Sequence, residues 1–97
     1  MTPHPYSYSA ALAEAFDLAK LDAGARRAIA EADIGPLWRV AGGWRRNASA
    51  PRFKNETVAV LMTHGLLKAG GPQSMRILTD LGRGVAARLS RGRKRHA

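Results

Sequence analysis

The sequence predicts an α+β fold, mostly helical, with one small antiparallel sheet. Three observations carry that expectation. Apolar residues recur at helical spacing through residues 10–33, 51–67 and 79–89. Between the second and third helices lies a stretch with two tryptophans, broken by Ala41-Gly42-Gly43, that reads as a strand or small hairpin. Before the last helix, residues 74–78 alternate as a strand does, with Met75 and Ile77 to one side and Arg76 and Leu78 to the other.

Residues 1–8 contain two prolines, two tyrosines and no periodicity, so a loose arm is expected. Ser9 can cap a helix over residues 10–21, where Leu12, Phe16 and Ala19 fall on one stripe flanked by Leu18 and Leu21. Asp22 can cap a second helix ending at Asp33, with Ala25, Ile29 and Ala32 as a narrow apolar face and Gly35-Pro36 as the stop. Leu37-Trp38-Arg39-Val40 and Gly43-Trp44-Arg45-Arg46 flank the glycine turn. Either tryptophan can serve the core, because burying its area is worth much, or stand on the surface as a stacking group. Residues 47–50 read as loop. Pro51 suits the first position of a third helix, with Ser49 or Ala50 at the cap, running to Leu67. Val58, Leu61 and Gly65 share one face of it; Arg52, Asn55, Glu56, Ala59 and Thr63 share the other. Residues 68–73 form a turn. Thr79 caps the final helix, which places Leu81, Val85 and Leu89 at four-residue spacing. Gly82 and Gly84 weaken that helix by about 1 kcal/mol each relative to alanine, so packing must hold it. Beyond Ser90, Arg91-Gly92-Arg93-Lys94-Arg95-His96 has no apolar anchor and reads as a mobile basic tail. The organisation expected is an arm (1–8), one domain (9–90) and a tail (91–97).

The net charge of +9 is unevenly spread. Residues 1–34 carry three basic and five acidic side chains, whereas residues 35–97 carry thirteen and two. Charge concentrated in this way attracts polyanions, nucleic acid being the commonest. With no cysteine in the chain, disulfides and thiolate metal sites are excluded, which fits a reducing cytoplasm. No apolar run approaches the roughly 20 residues of a spanning helix, so no membrane partner is expected. The first residues have neither a basic patch nor an apolar core, so no export signal is expected.

Thr57-Val58-x-x-Leu61-x-x-x-Gly65-Leu66-Leu67, followed by Leu78-Thr79-Asp80-x-Gly82-Arg83, resembles the second half of the MarR- and PadR-like winged helix-turn-helix families. In those families a recognition helix ends in Gly-Leu, a wing follows, and the last wing strand runs into a Leu-Thr-x-x-Gly-Arg cap. Gly35-Pro36-Leu37-Trp38-Arg39-Val40 and Gly42-Gly43-Trp44-Arg45 are also similar to small winged-helix proteins of proteobacteria and their phages. The resemblance covers residues 35–90 and implies a winged helix. It places Arg52, Lys54, Asn55, Thr57 and Thr63 on or beside a groove-facing helix, and Lys68, Gln73 and Arg76 in the wing. Two departures stand out. The wing is short and poor in arginine, and 17 residues (34–50) separate the second and third helices where a helix-turn-helix uses a turn of about three or four.

The function expected is binding of duplex DNA, sequence-specific or semi-specific, by a transcriptional regulator. Helix 51–67 would lie in the major groove, with wing and tail on phosphates. Asn55 could read an adenine edge in bidentate fashion, or simply sit on the helix surface or at its cap. Arg45 and Arg46 would clamp a phosphate, and Arg91, Arg93, Lys94 and Arg95 would form a nonspecific arm. The small residues of the first two helices suit a homodimer. Two alternatives remain: a regulator of the same fold that docks an acidic protein, and RNA binding through the basic tail and exposed tryptophans. No enzyme and no cofactor are expected. His4, His64 and His96 lack partners at ligand spacing, the serines lack a paired base, and neither glycine pair ends in the Lys-Ser/Thr of a phosphate loop.

Overall fold

The computed structural model describes residues 11–94. The expected arm, the Ser9 cap and Arg95 lie outside them. The fold is α+β, with a four-stranded antiparallel sheet and helices before, between and after its strands.

The first helix ends earlier than its periodicity suggests. Helix α1 covers residues 11–15, and a separate 3-10 turn spans Leu18–Lys20. Asp17 divides them: its backbone is extended and its carboxylate accepts from the Ala19 N–H at 3.0 Å, so it starts a new turn instead of continuing the old one. Helix α2, Ala23–Ile34, begins as expected, the Asp22 carboxylate accepting from the Ala25 N–H at 2.8 Å. Its buried stripe is Ala25, Ala28, Ile29 and Ala32. These alanines are enclosed within the molecule, whereas Ala11, Ala15, Ala19 and Ala23 are exposed.

Exposed Gly24 lies in the first turn of α2, where an added Cβ would rest 3.5 Å from Asp22 Oδ1 and 4.0 Å from Thr57 Oγ1, both ordinary contacts. Gly24→Ala is therefore expected to stabilise the fold by about 0.5–1 kcal/mol, through helix propensity and a less flexible unfolded chain. Urea unfolding with an unchanged m-value checks this, and a lower midpoint would show that α2 and α3 sit closer than described.

Strands β1 (Leu37–Val40) and β2 (Gly43–Arg45) form a hairpin that occupies the interval between α2 and helix α3, Asn55–Thr63. No turn of three or four residues joins these helices. The expected helix 51–67 is thus trimmed at both ends. At its start, Phe53 pairs with Trp44: the Trp44 N–H donates to the Phe53 carbonyl at 2.9 Å, and the Phe53 N–H to the Trp44 carbonyl at 2.7 Å. This long-range pairing holds the chain extended past Pro51. At its end, Gly65 has φ +75°, the Gly65 N–H donates to the Met62 carbonyl, and the Leu66 N–H to the Leu61 carbonyl. That is a Schellman stop, and its accompanying apolar pair, Leu61 and Leu66, is fully buried. Leu67 belongs to strand β3, Leu67–Ala69, which turns through residues 70–74 into β4, Met75–Leu78.

Helix α4, Asp80–Lys94, is locked to the end of α3 through the motif residues themselves. The Thr79 hydroxyl accepts from the Gly82 N–H at 3.0 Å and donates to the Gly65 carbonyl at 2.6 Å, while the Thr79 N–H donates to the Leu66 carbonyl at 3.0 Å. A Cβ on Gly82 would strike the Leu66 carbonyl oxygen. Gly65-Leu66 and Thr79-Asp80-x-Gly82 are two halves of one joint. The helix also runs past Ser90 to Lys94, where a tail from Arg91 was expected. Arg88 donates to the Ala13 and Phe16 carbonyls, and Arg91 pairs with Glu14 at 2.7 Å, so the end of α4 is anchored on α1.

The strand order is β2-β1-β4-β3. The register puts Leu37, Arg39, Trp44, Leu67, Arg76 and Leu78 on an inner face and Trp38, Val40, Arg45, Lys68, Met75 and Ile77 on an outer one. Helices α2, α3 and α4 pack on the inner face. The core there is thin: five of its sixteen buried residues are alanine among the described residues.

Candidate nucleic-acid interface

Trp44 lies among several of the described cations. Its ring is buried, its indole N–H donates to the Asn55 side-chain oxygen at 3.0 Å, and the Arg76 guanidinium stacks on its face 4.6 Å from the ring centre. Arg39 lies directly across the strand pair from it. Phe53, its bridge partner, is flanked by Arg52 and Lys54. Arg76 thus stacks on the indole, Arg39 stands across the strand pair from it, and Arg52 and Lys54 flank its bridge partner, at the place where the β1–β2 hairpin meets the N-terminus of α3. The Arg39 N–H donates to the Ser74 carbonyl, so the β1–β2 tip and the β3–β4 tip lie at the same end of the sheet. None of the four strands contains an acidic residue.

The expected contact residues separate into groups. Lys54 is exposed at the cap of α3, and Lys68 is exposed on β3. Arg45 is half-buried on the outer face of the sheet. Arg52 precedes α3 instead of riding on it; its guanidinium lies against Gly42 at the hairpin tip and donates to the Ala41 carbonyl at 3.2 Å. Gln73 is exposed in the β3–β4 turn, its carbonyl accepting from Arg76 at 2.8 Å.

Others are engaged inside the fold. Arg46 pairs with Glu31 of α2 at 3.0 Å, both partly shielded, which ties the hairpin to α2 and takes Arg46 away from the phosphate clamp expected of it. Arg76 spends its donors on the Met62 sulfur and the Gln73 and Met75 carbonyls, holding the β3–β4 turn against α3. The Asn55 oxygen is occupied by Trp44, so Asn55 fixes the start of α3 against the hairpin. Its amide nitrogen takes no part in that bond. Half-buried Thr57 lies toward Gly24 of α2. The Thr63 hydroxyl back-bonds to the Ala59 carbonyl at 3.0 Å. Arg91 is committed to Glu14, and the backbone of Arg93 and Lys94 is helical.

The outward face of α3 is small and largely uncharged. Glu56, Ala59, Val60, Met62 and Thr63 are exposed. Sequence reasoning missed Arg39, whose importance comes from being paired across the strands with Trp44; nothing local marks it. The tryptophans, left open by the sequence, divide: Trp44 is 5% exposed and Trp38 is 41% exposed. His64 sits edge-on to Phe16 with ring centres 5.7 Å apart, a packing role.

Among the described residues no helix is long and apolar enough to cross a membrane. Comparison with protein-family models, with curated proteins and with solved structures returns no match.

Proposed function

We propose that the protein binds duplex DNA as a transcriptional regulator, with α3 and the two hairpin tips forming its contact surface. The observation that carries this reading is the placing of Arg39, Arg52, Lys54 and Arg76 on or beside the segments that pair at Trp44, next to the start of α3, on strands without acids. Arg39, Arg52, Lys54 and Lys68 are exposed and suit phosphates; Arg76 holds the wing in place. The small face of α3, Ala59 to Thr63, suits a helix that enters a major groove. The order of α3, the β3–β4 hairpin and α4, with the Thr79–Gly82 cap, supports this reading because it is compatible with the arrangement the family resemblance implies.

Binding led by phosphates depends steeply on salt. With four exposed cations engaged, the log–log slope should be near −3.6, and affinity should fall roughly 10²-fold between 50 and 200 mM salt. Gel shifts with random-sequence duplex at several salt concentrations measure this. No retention at 50 mM salt would remove the proposal.

One observation favours a second reading. Val60 and Met62 expose 43% and 37% of their surfaces on α3, and apolar groups ringed by cations also suit an acidic protein partner. The same gel shift separates the two.

A further inference from the structure

The outer face of the sheet is a different surface, which the duplex reading uses only at Lys68. Trp38 stands near its middle, on the inner strand β1. It is 41% exposed, whereas the other tryptophan is enclosed. The register sets Arg45, Trp38 and Met75 side by side across β2, β1 and β4. Half-buried Val40 and Ile77 flank this row, and Lys68 stands opposite Ile77 on β3. Gly70 leaves the wing end of the row bare, and a Cβ there would run into the Met75 methyl group and crowd Ile77. The methionine therefore lies flat across the glycine and extends the apolar floor beside the indole.

An indole exposed at the centre of an open sheet face, beside half-buried Met75 and Ile77, is a flat surface on which a ring can stack. The chemistry around it selects what would cover it. Arg45 and Lys68 lie on the same face, and no strand supplies an acid, which disfavours a basic or neutral partner. An extended polyanion that carries flat rings satisfies both features: rings stack on Trp38 and Met75, and phosphates meet the two cations. We infer that the outer face binds single-stranded nucleic acid, with one unpaired base stacked on Trp38. In duplex the rings are stacked on one another, so only unpaired bases can use this surface. Nothing on the face engages a 2′-hydroxyl specifically, so DNA and RNA strands share this chemistry.

The two readings share Lys68, but the inference turns on Trp38 and the duplex proposal on Arg39, Arg52 and Lys54, so the two can fail separately. The test compares the whole chain with its Trp38→Ala and Trp38→Phe variants. The probes are fluorescein-labelled dT15, rU15 and a 15-base-pair random duplex, read by anisotropy at 50 mM salt. Stacking of one base predicts a loss between about 5- and 100-fold for Trp38→Ala on both single strands. Trp38→Phe, which keeps a ring, should recover most of that loss. Duplex affinity should change by less than about twofold, which also shows that the variants are folded. Equal binding of dT15 and rU15 by Trp38→Ala and the parent overturns the inference and leaves the duplex proposal standing. Sedimentation showing a dimer that Trp38→Ala dissolves, with single-strand affinity unchanged, reassigns the face to self-association and overturns it too. A parent chain that binds dT15 and rU15 but not the duplex, with the single-strand affinity reduced by Trp38→Ala, removes the proposed function and leaves this inference intact.

Discussion

Arg39→Gln, Arg52→Gln and Lys54→Gln combined are expected to weaken duplex binding by on the order of 10²-fold at 100 mM salt and to flatten the salt slope by about 2.7. Each change removes a charge without shortening the side chain severely, and none of the three residues is buried. Arg52 gives up one hydrogen bond, to the Ala41 carbonyl at the exposed hairpin tip, so the cost to the fold is small. Arg46→Gln is the informative contrast. It carries the same formal charge, yet its guanidinium is held by Glu31. It should therefore leave the salt slope nearly unchanged and act, if at all, on stability. A fall in slope for Arg46→Gln as large as for any one of the other three would mean that net charge, and not the arrangement around Trp44, governs binding.

That contrast shows which part of the site is legible in the sequence. The amount of charge and its location in residues 35–97 can be read directly. Which cations are free cannot, because Arg46 and Arg76 are taken up by partners 15 and 14 residues away, Glu31 and Met62. Helix starts set by a local oxygen are readable: Asp22 and Thr79 both cap where the residue type suggests. Pro51 misleads for the opposite reason. It is compatible with a helix start, but the Trp44–Phe53 pairing adds two backbone hydrogen bonds and buries an aromatic ring, and this tertiary gain outweighs a local preference. The alternation of residues 74–78 is visible as a pattern, but the pattern does not say which strand lies opposite. Only the register sets Met75 beside Trp38 and Arg39 beside Trp44, and on those two neighbourhoods both proposed surfaces depend. The Gly-Leu and Thr-x-x-Gly motifs are a middle case. As sequence they support a family resemblance, and in the fold they are a mechanical joint between α3 and α4 that many functions could use.

Leu61→Ala is expected to cost about 2–5 kcal/mol, a large share of the roughly 5–15 kcal/mol that holds a domain together. Leu61 is fully buried between α2 and the sheet side of α3, and it is also the apolar partner of Leu66 in the stop that ends the helix. Because so much of the surrounding core is alanine, little can move in to fill the space a lost isobutyl group leaves. The damage should also spread. Loosening Leu66 disturbs the carbonyl that accepts from Thr79 and lies against Gly82, so α4 loses its seat when α3 loses its anchor. Val60→Ala, one position earlier on the exposed side, should change stability by no more than about 0.5 kcal/mol. Urea unfolding of both variants at matched m-values provides the comparison. A similar cost at both positions would mean that the outward side of α3 is covered, in which case no groove could receive it. With Val60→Ala close to the parent, that variant becomes the clean probe of the surface: it keeps the helix intact, so any effect on duplex affinity reports on contact and not on folding.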